Sequence, residues 1–135
     1  MNGQITIPFK VTLWDLKPYD EAADSPTLSR GTVKKAFEGE TKGESTGEIL
    51  MFSASDGSAA YTILDKFSVE LDGRKGSFVA IHGATHSPKE TSRALGTILQ
   101  GSGTGELAGI SGTIEFKSDE NGKNIILDYS IEDSK

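Results

Sequence analysis

Ile5, Ile7, Phe9, Val11 and Leu13 fall on one parity of the chain, with Thr6, Lys10 and Thr12 between them. A period of two places all five on one face of a strand, whereas on a helix the same residues scatter around the cylinder. The pattern recurs. Alternating runs bounded by turn residues are read at Leu28–Glu38, Glu44–Ala54, Ala59–Leu71, Gly76–Thr85, Ala94–Leu99, Ser111–Ser118 and Lys123–Glu132, which with the first run makes eight strands. Residues 17–27 hold two prolines among several acids, so the chain is expected to leave the sheet there. Asp56-Gly57, Asp72-Gly73 and Asn121-Gly122 supply the positive φ of tight hairpins, so the connections read as a meander. Eight antiparallel strands of these lengths have no free edge if they close on themselves. The expected fold is all-β, a single domain over residues 1–135 forming one eight-stranded antiparallel barrel of mostly meander topology.

Such a barrel needs enough apolar side chains to fill it. Leu, Ile, Val and Phe supply 31 of the 135 residues, above the level at which chains remain disordered. The formal net charge of −6 is spread evenly, with seven basic and ten acidic groups in each of residues 1–67 and 68–135. Neither half has the clustered Lys and Arg that a phosphate backbone or an anionic membrane surface requires, so neither nucleic acid nor membrane is an expected partner. The absence of cysteine excludes disulfides, thiol chemistry and cysteine-ligated zinc. With no apolar run of spanning length and no basic-then-apolar leader, a cytoplasmic location is expected.

Hairpin register gathers a candidate site. If Asp56-Gly57 is a two-residue turn, Phe52 faces Tyr61, Leu50 faces Ile63 and Glu48 faces Asp65. A four-residue loop between Leu71 and Gly76 then sets Val69 against Phe78, Phe67 against Ala80 and Asp65 against His82; a two-residue loop keeps His82 on the same face, one pair along. That face is the more apolar and is taken as the interior. Glu48, Asp65 and His82 would form a polar row within it, where unpaired charge is costly. Two flanking carboxylates would hold the imidazole protonated to higher pH and make it an acid or base poised near neutrality, with Tyr61 as a hydrogen-bond donor. The catalytic candidates are therefore His82, Asp65, Glu48 and Tyr61, and the ligand-binding candidates are Glu48, Phe52, Tyr61, Asp65, Phe67, Phe78 and His82. The bland alternative is a mutually satisfied network that holds three strands in register. The Asn121-Gly122 hairpin, read the same way, pairs Phe116 with Leu127 and Ile114 with Tyr129.

Other signals are weaker. The glycines of Gly101-Ser-Gly103-Thr-Gly105-Glu-Leu lack the spacing of a dinucleotide fingerprint, and no cofactor is expected. His82 and His86 are four apart in a strand, too far for shared chelation, and no metal site is expected. Next to Ser87-Pro88, His86 reads as a solvated loop residue. Trp14 lies on the parity opposite to the isoleucine row, and so reads as a rim aromatic or as part of a contact between subunits.

The glycine-rich segment also fits another pattern. Gly103-Thr104-Gly105-Glu106-Leu107-Ala108-Gly109-Ile110-Ser111-Gly112 resembles the Gly-Thr-Gly-x-Phe-x-x-x-x-Gly signature before a late strand of allene oxide cyclases and dirigent proteins, with Leu107 in place of Phe. Together with Leu71-Asp72-Gly73-Arg74-Lys75-Gly76-Ser77-Phe78-Val79, His82-Gly83 and Pro18-Tyr19-Asp20-Glu21, the chain resembles the bacterial family of domain of unknown function 3224 along almost its whole length. That resemblance implies an allene oxide cyclase-like, calycin-type barrel, commonly a homo-oligomer, with an internal cavity. It implies no activity and lends no catalytic residue. The leading expectation is thus a barrel that binds a small apolar or amphipathic ligand. A cofactor-free isomerase or cyclase acting inside the barrel and a structural protein with a solidly packed barrel are the alternatives.

Overall fold

The computed structural model of the protein describes residues 2–120 and 122–132. Among these residues there are nine strands and no helix: β1 (Asn2–Asp20), β2 (Thr27–Phe37), β3 (Gly43–Ser53), β4 (Ala59–Leu71), β5 (Arg74–His86), β6 (Arg93–Ile98), β7 (Thr104–Gly105), β8 (Ile110–Asp119) and β9 (Gly122–Ile131). Each long strand pairs antiparallel with the next, β6 pairs with β8, and β1 pairs with both β2 and β9. The sheet thus closes into a ring of eight strands, and the two-residue β7 pairs alongside β5. The eight expected strands are present with their ends moved by a few residues. The largest difference is in β1, which stays in the sheet through Asp20 because Lys17, Pro18 and Asp20 pair with Arg30, Ser29 and Leu28. A register shift beside Pro18 suits a residue that cannot donate to a ladder.

Turn chemistry decides which side chains face inward. At Asp72-Gly73 the loop has two residues, with φ of 47° and 83°, and Leu71 pairs with Arg74, where a four-residue loop was the first expectation. Asp56-Gly57 behaves differently. The Gly57 and Ala54 amides bond to the Ala54 and Ser58 carbonyls at 3.2 and 2.9 Å, and Asp56 Oδ1 accepts the Ser58 amide at 2.8 Å. This is a three-residue loop whose last residue, Gly57, has φ +92°, so the register advances by one and all of β3 turns over relative to the two-residue reading. Glu48, Leu50 and Phe52 therefore pair with Leu64, Thr62 and Ala60 on the outer face, and Ser45, Gly47, Ile49 and Met51 point inward. At the β8–β9 turn, Asp119 pairs with Gly122, which sets Phe116 against Ile125 and Ile114 against Leu127. The predicted face is kept there and the pairs move along by one position; Asn121 itself lies outside the described residues.

β1 carries a second inversion. Val11 pairs with Lys35 but Leu13 pairs with Lys34, leaving Thr12 as a bulge. Before it, the odd residues Ile5, Ile7, Phe9 and Val11 face inward; after it, Trp14 and Leu16 do, opposite Val33 and Gly31. The interior divides into two. One end is packed solid by Ile7, Phe67, Leu71, Phe78, Ile125 and Leu127, all fully buried, with Phe67 and Phe78 stacked 4.9 Å apart. The glycine-rich segment seals that end by inserting Leu107, also fully buried, and Gly103 and Gly105 allow the close chain crossings against Leu107 and Lys75 that this needs. At the other end Val33, Ile49 and Ile63 form a smaller cluster flanked by Leu16, Met51 and Tyr61.

Candidate functional site

The two apolar clusters are separated by a polar layer. Asp65, fully buried on β4, accepts a hydrogen bond from Lys35 Nζ on β2 at 2.6 Å and lies 3.2 Å from His82 Nε2 on β5. His82 pairs with Ile63 in the ladder, yet its side chain reaches the carboxylate one pair away, since diagonal neighbours on one face lie within reach of long side chains. Ser45 of β3 belongs to the same buried layer, and neither its Oγ nor Asp65 Oδ1 has a hydrogen-bond partner among the described residues. Because a carboxylate only accepts, His82 Nε2 carries the proton and Nδ1 is the bare nitrogen. Tyr61 Oη sits 3.5 Å from that Nδ1. The four side chains form a chain from lysine through carboxylate and imidazole to phenol.

Titration follows from burial and pairing. Burial alone would raise the Asp65 carboxyl, but the His82 hydrogen bond and the Lys35 charge overcome it and hold Asp65 below the usual carboxylate range. His82 is held below its ordinary value chiefly by burial, against the pull of Asp65 and with the Lys35 charge adding to the fall. The expectation of a histidine kept protonated between two carboxylates is corrected here. Glu48 is on the outer face, where it accepts from Thr32 Oγ1 at 2.6 Å, so one carboxylate remains and a lysine shares it. Burial pushes the Tyr61 phenol up, with the Asp65 charge adding to the shift.

Above this layer lies a cavity of about 320 Å³. Tyr61, His82 and Lys35 form its floor, Phe9, Val11, Trp14, Met51 and Phe116 its walls, and Lys117, Ser118 and Lys123 its rim. The His82 ring lies against Phe116 with centroids 4.3 Å apart, and Phe9 meets Phe116 edge-on at 5.7 Å. Of the predicted site residues, Tyr61 and His82 line the cavity and Asp65 lies directly beneath them. Phe67 and Phe78 face inward but belong to the packed end, and Phe52 and Glu48 face outward. Lys35 was not among the sequence candidates, although alternation sets it between Val33 and Phe37 on the inward parity of β2. Trp14 reaches the cavity through the Thr12 bulge, which no local residue pattern announces. Among the described residues, no three His, Asp or Glu side chains are grouped so as to hold a metal ion. His86 is the exposed last residue of β5. A larger hollow, about 720 Å³, lies on the outer surface between Tyr19, Arg30, Glu48 and Leu64. It has no buried polar group, so the chemistry of the molecule concentrates in the interior cup.

Fold and site together define an all-β protein whose sheet closes into a ring of eight strands, filled at one end and hollow above a buried Lys–Asp–His layer at the other. The chain belongs to the family described as protein of unknown function (DUF3224), whose profile matches residues 5–130. It is similar to a crystal structure of a protein of unknown function from that family in Shewanella oneidensis MR-1, with 28% identity, 99% of this chain and 100% of that one covered, and a TM-score of 0.83. No curated protein matches the chain. No helix among the described residues is long and apolar enough to cross a membrane.

Proposed function

We propose that the protein is a single-domain, cytoplasmic β-barrel of the allene oxide cyclase-like type that binds a small ligand with an apolar body in the cup above Tyr61, His82 and Lys35. The observation that carries this reading is the uneven filling of the ring. A structural barrel gains by packing throughout, since voids forfeit dispersion contacts. Here only one end is packed, and the space left at the other is apolar-walled with a few convergent polar groups, the usual form of a ligand site. Native mass spectrometry on protein purified from cells, set against its denatured mass, tests it. A non-covalent mass is expected on the wild type and not on Met51→Phe, in which a ring fills the cup. A ligand-free wild type whose melting temperature does not respond to any small apolar compound would overturn the reading, and would favour the structural alternative. The same spectrum reports the homo-oligomer number.

The hydrogen-bond order favours a second reading, a cofactor-free isomerase. With Nε2–H committed to Asp65, His82 Nδ1 faces Tyr61 as a base, and Tyr61 Oη is placed to donate to a ligand carbonyl. An enzyme of this kind loses turnover in Tyr61→Phe while keeping ligand affinity, whereas a binding protein shows no turnover to lose.

A further inference from the structure

Among the described residues, every ionisable side chain lining the cup is a cation or a neutral group: Lys35, Lys117, Lys123, His82 and Tyr61. The chain as a whole carries 20 acidic and 14 basic groups, so the cup inverts the prevailing sign. Asp65, beneath the floor, is committed to Lys35 and His82, and the floor carries no net charge of its own. The remaining positive charge lies at the rim, on Lys117 and Lys123. Lys117 meets Glu115 at 3.8 Å with both groups more than half exposed, a pair weak enough to be exchanged for another anion. Among the side chains described at this hairpin, Glu115 and Glu120 are exposed acids and neither lines the cup. Below the rim the walls present the rings of Phe9, Trp14 and Phe116, and the floor that of Tyr61. The volume of about 320 Å³ equals roughly ten waters of liquid, room for one or two fused rings.

We infer that the ligand is an organic anion with a flat aromatic body, its rings between Phe9, Trp14, Tyr61 and Phe116 and its carboxylate or sulfonate at the rim between Lys117 and Lys123. This rests on the reading of the cup as a ligand site. Keeping the anion at the rim avoids desolvating it against a floor whose lysine is already paired, and the rings alone enter the apolar space. Positive potential at the mouth also speeds the encounter with an anion, and salt weakens that effect.

Three naphthalene compounds of one shape separate the possibilities: 2-naphthoate, neutral 2-naphthamide and cationic 2-naphthylmethylammonium, titrated by calorimetry and by the emission of Trp14, the single tryptophan. The naphthoate is expected to bind roughly tenfold tighter than the amide at low salt, with the ammonium compound weakest. In the double variant Lys117→Gln/Lys123→Gln the naphthoate falls to the affinity of the amide, whose own affinity is unchanged. Met51→Phe, checked for an unaltered melt, loses all three. Equal or tighter binding of the amide or the ammonium compound by the wild type would overturn the anion assignment and leave the cup reading standing. So would a naphthoate preference that survives the double variant. If no compound binds, or binding persists in Met51→Phe, the cup reading falls and the anion assignment with it.

Discussion

Lys35 and Asp65 form an ion pair at 2.6 Å, with side chains 6% and 0% exposed, so each depends on the other to be buried at all. Lys35→Met strands the carboxylate and is expected to cost about 3–5 kcal/mol in urea unfolding, while Lys35→Met/Asp65→Leu recovers most of that loss. A network that merely matched an apolar core in stability would show this asymmetry. His82 gives a pH signature. Its folded value lies below the unfolded 6.5, so an unfolded chain gains a proton as pH falls through 6.5 while the folded one does not. The stability it contributes is complete above that pH and is lost as pH falls toward the folded value. The melting temperature should decline between neutrality and pH 5, and His82→Gln should flatten that decline. At the alkaline end, Tyr129 donates to Asp72, and burial with that hydrogen bond pushes its phenol up to about 12. Its contribution holds below pH 10 and disappears as pH rises toward 12, so Tyr129→Phe should show a smaller alkaline loss. A phenolate titration followed by absorbance checks the value.

Elements in this molecule are phased by single residues. Thr12 turns the second half of β1 over, and Gly57 ends the loop that turns β3 over. Deleting Thr12 should remove the bulge and leave Leu13 opposite Lys34 and Trp14 opposite Val33 in an unbroken ladder, so the response of the Trp14 emission to a ligand in the cup should survive, with a stability change of no more than roughly 1–3 kcal/mol. Gly57→Ala, at φ +92°, should cost roughly 1 kcal/mol in chemical unfolding without moving the ladder. The same two positions show where sequence reasoning stopped. Strand positions and the faces of β4, β5, β8 and β9 were legible because Ile63, Phe67, Phe78, Ile114 and Leu127 repeat at a period of two that any local window reveals. The phase between neighbouring strands was not. Asp-Gly occurs both in the two-residue loop at Asp72-Gly73 and in the three-residue loop ending at Gly57, and the dipeptide alone does not set the loop length. Glu48 was misplaced for that reason. Lys35 was legible by parity and overlooked by type, since a lysine in an alternating row reads as solvated until a buried carboxylate is found for it.

Across the whole ring the joints are unequal. β4 and β5 pair over thirteen positions, while β6 and β8 pair only through Thr97–Thr113 and Ile98–Gly112. Beyond those pairs the strands bound a hollow of about 390 Å³ that shares Tyr61 and Phe116 with the cup. Amide hydrogen exchange should therefore be fastest, among the strands, at residues 93–96 and 114–117, and a bound ligand should slow it there more than in β4. Uniform protection around the ring would contradict this.

The place of β1 between β2 and β9 has a consequence for how the protein is made. Among the strands of the ring β1 is made first; it finds one partner, β2, within the next few dozen residues and waits for the other until β9 has been synthesised. Until then β1 presents an open, apolar edge, and closure of the ring is a late, long-range event that follows synthesis of β9 and competes with pairing between nascent chains. Yield in cells should accordingly depend on synthesis rate and chaperone supply more steeply than the stability of the finished ring would suggest.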